Sequence, residues 1–182
     1  MNRVALRLST LALAAATFAG ARTAAAQVSS PFHFGVGGGV SLPQGDASDG
    51  FKTGFHGQAM VGLSVPMLPV GLRGDVVYHQ LSGKDLLAGT DLKVLGGGVN
   101  VMYDLPGVMV KPYLSAGLGM YNAKVDAGAA GSASETKVGF NGGAGIKFNL
   151  TGFNTLLEAR YYSIQTSGSS TTFVPITFGI MF

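Results

Sequence analysis

The chain has 182 residues, 47% of them hydrophobic but only 12% charged, with 29 glycines and no cysteine. That length suits one domain, and the missing cysteines exclude disulfides and thiolate metal sites. The formal charge of +3 depends on three arginines near the N-terminus, so it makes no case for nucleic-acid binding.

Residues 1–26 read as a secretory signal. Asn2, Arg3 and Arg7 form a basic start, Leu8 to Ala19 an apolar run, and Ala24-Ala25-Ala26 a small-residue cleavage site before Gln27. The apolar run is too short to span a bilayer as a helix. Cleavage removes Arg3, Arg7 and Arg22, which leaves the mature chain, 27–182, with balanced charge.

The mature chain then alternates with a period of two, the signature of strands with one apolar face. In Phe32 to Leu42, Phe32, Phe34, Val36, Val40 and Leu42 share one face, and His33 shares the other with small residues. Pro43 to Thr53 is polar and rich in Pro, Gly and Asp, and reads as a loop. Phe55 to Val65 repeats the pattern, with His56, Gln58 and Met60 inward, and Pro66-Met67-Leu68-Pro69 makes a tight turn. Val70 to Leu81 places Leu72, Val76 and Tyr78 against Arg73, Asp75 and His79, and Ser82 to Asp91 is a second long loop.

Leu92 to Tyr103 is less regular, because Val94 and Val99 differ in parity around Gly96-Gly97-Gly98; this predicts a bulge or kink. Asp104 to Gly107 is a short turn. Val108 to Tyr121 carries Leu114, Leu118 and Met120 outward and Lys111 and Tyr113 inward, and Asn122 to Glu135, rich in Ala, Gly and Ser, predicts a long loop. Thr136 to Leu150 sets Val138, Phe140 and Ile146 against Lys137, Asn141 and Lys147. After a turn at Thr151 to Phe153, Asn154 to Thr166 sets Leu157 and Tyr161 against Glu158 and Arg160. Ser167 to Thr171 leads into the last strand, Thr172 to Phe182, where Val174, Ile176, Phe178, Ile180 and Phe182 share a face. Its length matches the roughly 9 to 11 residues that a tilted strand needs to cross a bilayer.

Eight strands with connections mostly alternating long and short predict an all-β fold: an eight-stranded antiparallel up-and-down transmembrane β-barrel with short periplasmic turns and longer external loops. Charge placement supports this. Arg73, Asp75, Lys111, Lys147, Glu158 and Arg160 all oppose the aliphatic face, and they can pair as an interior charge network. A basic residue facing lipid at midplane costs about 2 to 4 kcal/mol. A soluble eight-stranded calyx is the alternative, and it would turn the aliphatic face inward.

The closing Val174-Pro175-Ile176-Thr177-Phe178-Gly179-Ile180-Met181-Phe182, the run Val110-Lys111-Pro112-Tyr113-Leu114-Ser115-Ala116-Gly117-Leu118-Gly119 and the signal peptide resemble the small OmpA/OmpX-like outer-membrane β-barrels of Gram-negative bacteria. The resemblance spans nearly all of the mature chain. It implies an outer-membrane location among outer-membrane lipids. It also implies that Phe178, Ile180 and Phe182 form the signal read by the barrel-assembly machinery. The chain departs from the larger OmpA proteins in having no peptidoglycan-binding domain after the barrel. Pro112 is expected near a rim, whereas Pro175 has no evident place in a closed sheet.

Candidate chemistry is sparse. No glycines meet the G-x-G-x-x-G spacing, and Gly83-Lys84 lacks the rest of a phosphate loop. A symmetric turn at 66–69 sets His56 opposite His79 near the external mouth, and Met60 opposite Asp75. Two facing imidazoles can bind a transition metal; the competing reading is a hydrogen-bonded pair, since no third ligand is evident. No catalytic residue and no cofactor is expected. The function that follows is a structural, adhesion or surface-interaction role through external loops that hold an extracellular ligand. Two alternatives remain open: a narrow, porin-like channel or transporter of small or apolar solutes, and an outer-leaflet lipid-modifying enzyme using His79, Ser82 and Asp85 at the mouth.

Overall fold

The computed structural model describes residues 31–182 except 66, 86–88, 127, 129–130, 151 and 167–168. The signal segment, 1–26, lies outside the described residues. Eight antiparallel strands follow one another: β1 (Phe32–Gln44), β2 (Gly54–Ser64), β3 (Val70–Ser82), β4 (Asp91–Asp104), β5 (Val110–Asp126), β6 (Ser132–Leu150), β7 (Phe153–Thr166) and β8 (Ser169–Met181). Each pairs with the next and β1 pairs with β8, so the sheet closes. A single helical turn, α1 (Asp46–Gly50), follows β1. Among the described residues no helix is long and apolar enough to cross a membrane, a fact that does not bear on a barrel.

The closure has a defined stagger. From His33 the partners run Gly62, Arg73, Asn100, Gly117, Asn141, Tyr162 and Phe173, then back to β1 at Pro43. One circuit therefore advances ten residues along β1. Such a stagger tilts the strands and fixes a barrel just wide enough for side chains to fill. Every residue on this circuit has inward parity.

The two faces separate as the alternation requires. Phe34, Val36, Phe55, Val76, Leu95, Val99, Leu118, Met120, Phe140, Tyr161 and Phe178 stand exposed on the outside. Ile176 is 38% and Phe178 56% exposed, whereas Arg73 is 2% and Glu158 1% exposed. The soluble-calyx alternative requires the reverse.

Four details differ from the sequence-based expectation. The β3–β4 pairing runs unbroken through Gly96, Gly97 and Gly98, so there is no bulge. Leu92 and Val94 break the outward pattern because they point into an apolar interior core at the loop end, not because the backbone kinks. The expected loop 122–135 is mostly strand: the β5–β6 pairing continues to Asp126 opposite Ser132. Within that hairpin the outward side chains turn polar from Asn122 and Thr136, which hydrogen-bond at 2.9 Å. The hairpin therefore leaves the apolar belt at that level. Finally, the first external connection carries a helical turn: α1 packs against β1 and β8, and Phe51 bridges to Gly83.

The prolines are also accommodated. Pro112 lies beyond the end of the β4–β5 ladder, which begins at Asp104 opposite Tyr113, so it sits at the turn-end rim. Pro175 pairs with Ser41 of β1, while the β7–β8 ladder lacks its pairs at Arg160 and Tyr161. The missing proline N–H thus coincides with a local opening of that seam.

Candidate functional site

Among the described residues, charged and polar side chains are concentrated under cover in the interior, which is stratified. Nearest the short turns is an open cavity, above it an ionic layer, then a histidine layer, then an apolar plug beneath the loops.

The ionic layer joins four of the six charged residues expected inside. Arg73 Nη2 donates to both carboxylate oxygens of Glu158 at 2.9 and 2.8 Å. Arg160 Nη1 reaches Asp75 Oδ2 at 2.7 Å, and its Nε reaches Glu158 Oε1 at 2.7 Å. Arg73 Nε faces Asp75 Oδ1 at 3.0 Å, an ion pair whose angle is too bent for a hydrogen bond. Two cations and two anions therefore alternate around a ring of zero net charge, and all four are buried. Buried charges persist when they are paired and hydrogen-bonded.

Neutral side chains complete the layer. Tyr113 donates to Glu158 Oε2 at 2.8 Å, Asn100 donates to Asp75 Oδ2 at 2.8 Å, and Arg160 Nη2 donates to Gln58 Oε1 at 3.0 Å. These supporting residues share the inward parity of the charges. That parity, combined with turn-derived register, is the signal that would have found them. Lys111 and Lys147 do not join the ring: they lie nearer the turns, where Lys147 pairs with Asp104 at 2.6 Å.

Bulky interior side chains account for several of the inward-facing glycines. The Tyr121 ring lies where side chains at Gly96 and Gly139 would be, and Tyr113 occupies the space beside Gly145.

His56 and His79 are direct partners across β2 and β3, with ring centroids 5.1 Å apart. Ser41 Oγ lies 3.2 Å from His56 Nδ1 and 2.8 Å from His79 Nδ1, and Thr177 Oγ1 lies 2.9 Å from His56 Nε2. Ser41 has one hydroxyl proton, so it donates to one imidazole and accepts from the other. It fills the position between the nitrogens that a bridging metal would take. Among the described residues no group of three His, Cys, Asp or Glu is placed to hold a metal ion. The pair also lies below the mouth rather than at it, under a plug of Val77, Leu81, Leu92, Val94, Tyr121, Tyr162, Ile164 and Phe173.

The third sequence-derived group does not assemble. His79 points inward and is fully buried, whereas Ser82 is exposed and donates to Asp91 Oδ1 at 3.0 Å. Asp85 lies in the following loop with φ of 43°.

At the loop end Phe51, Leu92, Ala123, Val125 and Ala133 line a shallow basin above the plug. Lys84 Nζ donates to Ser48 O at 2.8 Å, which ties the second loop to α1. On the hairpin beyond the belt, the Lys93 ammonium bonded at 3.2 Å holds the Asp126 carboxyl below its ordinary value. The closing residues Phe178 and Phe182 are exposed, and the backbone of Phe182 pairs with Phe34 in both directions.

The family model for the outer membrane protein beta-barrel domain matches residues 11–182. No curated protein matches the chain. Among solved structures it is similar to Neisserial surface protein A, NspA, at 22% identity, covering 84% of this chain and 96% of that one, with a TM-score of 0.67. It is similar to the outer membrane enzyme PagL at 18% identity, covering 81% and 98%, with a TM-score of 0.54. It is also similar to Ail, the attachment invasion locus protein of Yersinia pestis, solved with the heparin analogue sucrose octasulfate, at 20% identity, covering 83% and 97%, with a TM-score of 0.51. At these identities the likenesses show the fold. The chain belongs to the outer membrane protein beta-barrel domain family, an outer-membrane protein whose eight strands set an apolar belt against lipid and enclose its buried charges.

Proposed function

We propose that this barrel is a non-enzymatic surface-interaction protein, whose external loops and β5–β6 hairpin hold an extracellular ligand while the barrel serves as a rigid mount. The observation that carries this reading is the filled interior. The ionic ring and the apolar plug occupy successive levels of the lumen, which argues against a route for solutes. The braced loop end supports the same reading, because α1, the Phe51–Gly83 bridge and the Lys84–Ser48 bond fix two loops relative to each other. Ail, which has this fold, has been solved with a heparin analogue.

PagL shows that this fold can also carry an enzyme. Against that reading here, Ser41 and His79 form a contact suited to a nucleophile and its base, but both are fully buried beneath the plug and face away from lipid. Residues 1–26 act as the export signal in this proposal, and Phe178, Ile180 and Phe182 as the segment read by the barrel-assembly machinery.

The test uses cells displaying the protein. Replacing 46–52 and 84–85 by Gly-Ser sequence should abolish attachment to heparin-coated and matrix-coated surfaces while heat-modifiable migration in a detergent gel persists. Planar bilayers with the purified protein should show no discrete open state. Unchanged attachment, or a reproducible channel, would overturn the proposal.

A further inference from the structure

The cavity at the turn end has a composition that neither the fold nor the proposed surface role explains. It has a volume of about 170 Å³, and its wall includes His33, Arg73, Lys111, Lys147 and the amide pair Asn149 and Asn154. Gly62 and Gly71 also line it. A single water needs only roughly 10–15 Å³, so the space admits a polyatomic group.

Its charges do not balance. Arg73 at the floor is answered by Glu158 and Asp75. Asp104 is the remaining carboxylate of the wall, and Lys147 holds it at 2.6 Å. Lys147 also lies 5.0 Å from the centroid of the Tyr113 ring, which helps fix its position. Lys111 is the direct cross-strand partner of Lys147, and it makes no ion pair with any described carboxylate. Like charges directly opposite across a ladder destabilise a sheet. Two lysines therefore stand opposite each other in a wall with one carboxylate, which is paired to Lys147, in a recess that also carries an imidazole and amides.

We infer that this recess is a binding site for a small oxyanion, a phosphate or carboxylate group, entering from the periplasmic side and held by Lys111 and Lys147. An anion between the two ammonium groups supplies the missing negative charge, and charge-assisted N–H to O bonds are the stronger class of hydrogen bond. The turn end faces the periplasm in the family's architecture, so the ligand is a periplasmic solute or the acidic end of a periplasmic molecule.

The test is titration of the intact barrel, refolded in a neutral maltoside detergent at low ionic strength, with inorganic phosphate and separately with acetate. Calorimetry and phosphorus NMR line widths provide the readouts. Saturable binding of at least one anion is expected. It should weaken at least tenfold in Lys111→Met and in Lys147→Met, with Lys124→Met, at the opposite end, unchanged. Heat-modifiable migration confirms that each variant is folded. Absence of saturable binding by both anions overturns the assignment, as does equal weakening in Lys124→Met, which would mark diffuse attraction. Stronger binding of one anion identifies which oxyanion the recess prefers.

Discussion

Glu158→Gln is the sharpest perturbation of the interior because it preserves shape and removes one of two negative charges from a closed ring. Glu158 accepts two bonds from Arg73 and one from Tyr113, and its Oε1 lies 2.7 Å from Arg160 Nε. After the substitution two buried guanidinium groups share Asp75 alone. Breaking a buried pair by removing one partner costs about 3–5 kcal/mol, and that is the loss expected here. Adding Arg73→Met should restore part of it, because Arg160 and Asp75 remain as a neutral pair at 2.7 Å. The double variant should thus be more stable than the sum of the singles predicts, by at least about 1 kcal/mol. Urea unfolding in lipid vesicles measures all three. A Glu158→Gln cost below about 1 kcal/mol, or strict additivity, would refute a coupled ring.

Val99→Arg, an outward substitution in the middle of β4, should cost about 2–4 kcal/mol in the same assay. Gly96→Ala should cost about 1–3 kcal/mol by overpacking, since its Cβ enters the Tyr121 ring, whereas Gly57→Ala, whose Cβ meets only Gly37 O at an ordinary contact distance of 4.0 Å, should be nearly neutral. Asp126 should titrate below the ordinary carboxylate value of 3.8, and Lys93→Met should raise its midpoint in an NMR titration. The sign follows from linkage: a depressed carboxyl lends its stability above the unfolded value and loses it as pH falls through the folded one.

The strands were legible because a barrel wall between lipid and a packed lumen imposes a period of two on every segment. The His56–His79 pairing was legible because a short turn fixes register. Other features depend on contacts that no local pattern encodes. Ser132 to Glu135 looks like loop by composition, yet it pairs with β5 for its whole length. Leu92 and Val94 seem out of phase until the apolar plug is seen beneath the loops. Lys111 and Lys147 share the parity of Arg73 and Glu158, but parity gives a face and not a level. The levels follow from the stagger, which is set only when β8 closes on β1. Pro175 makes sense for the same reason, at a seam between β7 and β8 that the sequence does not mark.

The orientation of the apolar face can be tested directly because the chain has no tryptophan. Phe178→Trp, on the outer face, and Phe173→Trp, beneath the loops, each give a single fluorophore in vesicles of lipids with brominated acyl chains. Strong quenching of the first and little of the second is the predicted result. Equal quenching of both, or quenching of the second alone, would contradict an apolar belt against lipid around a closed, charge-filled interior.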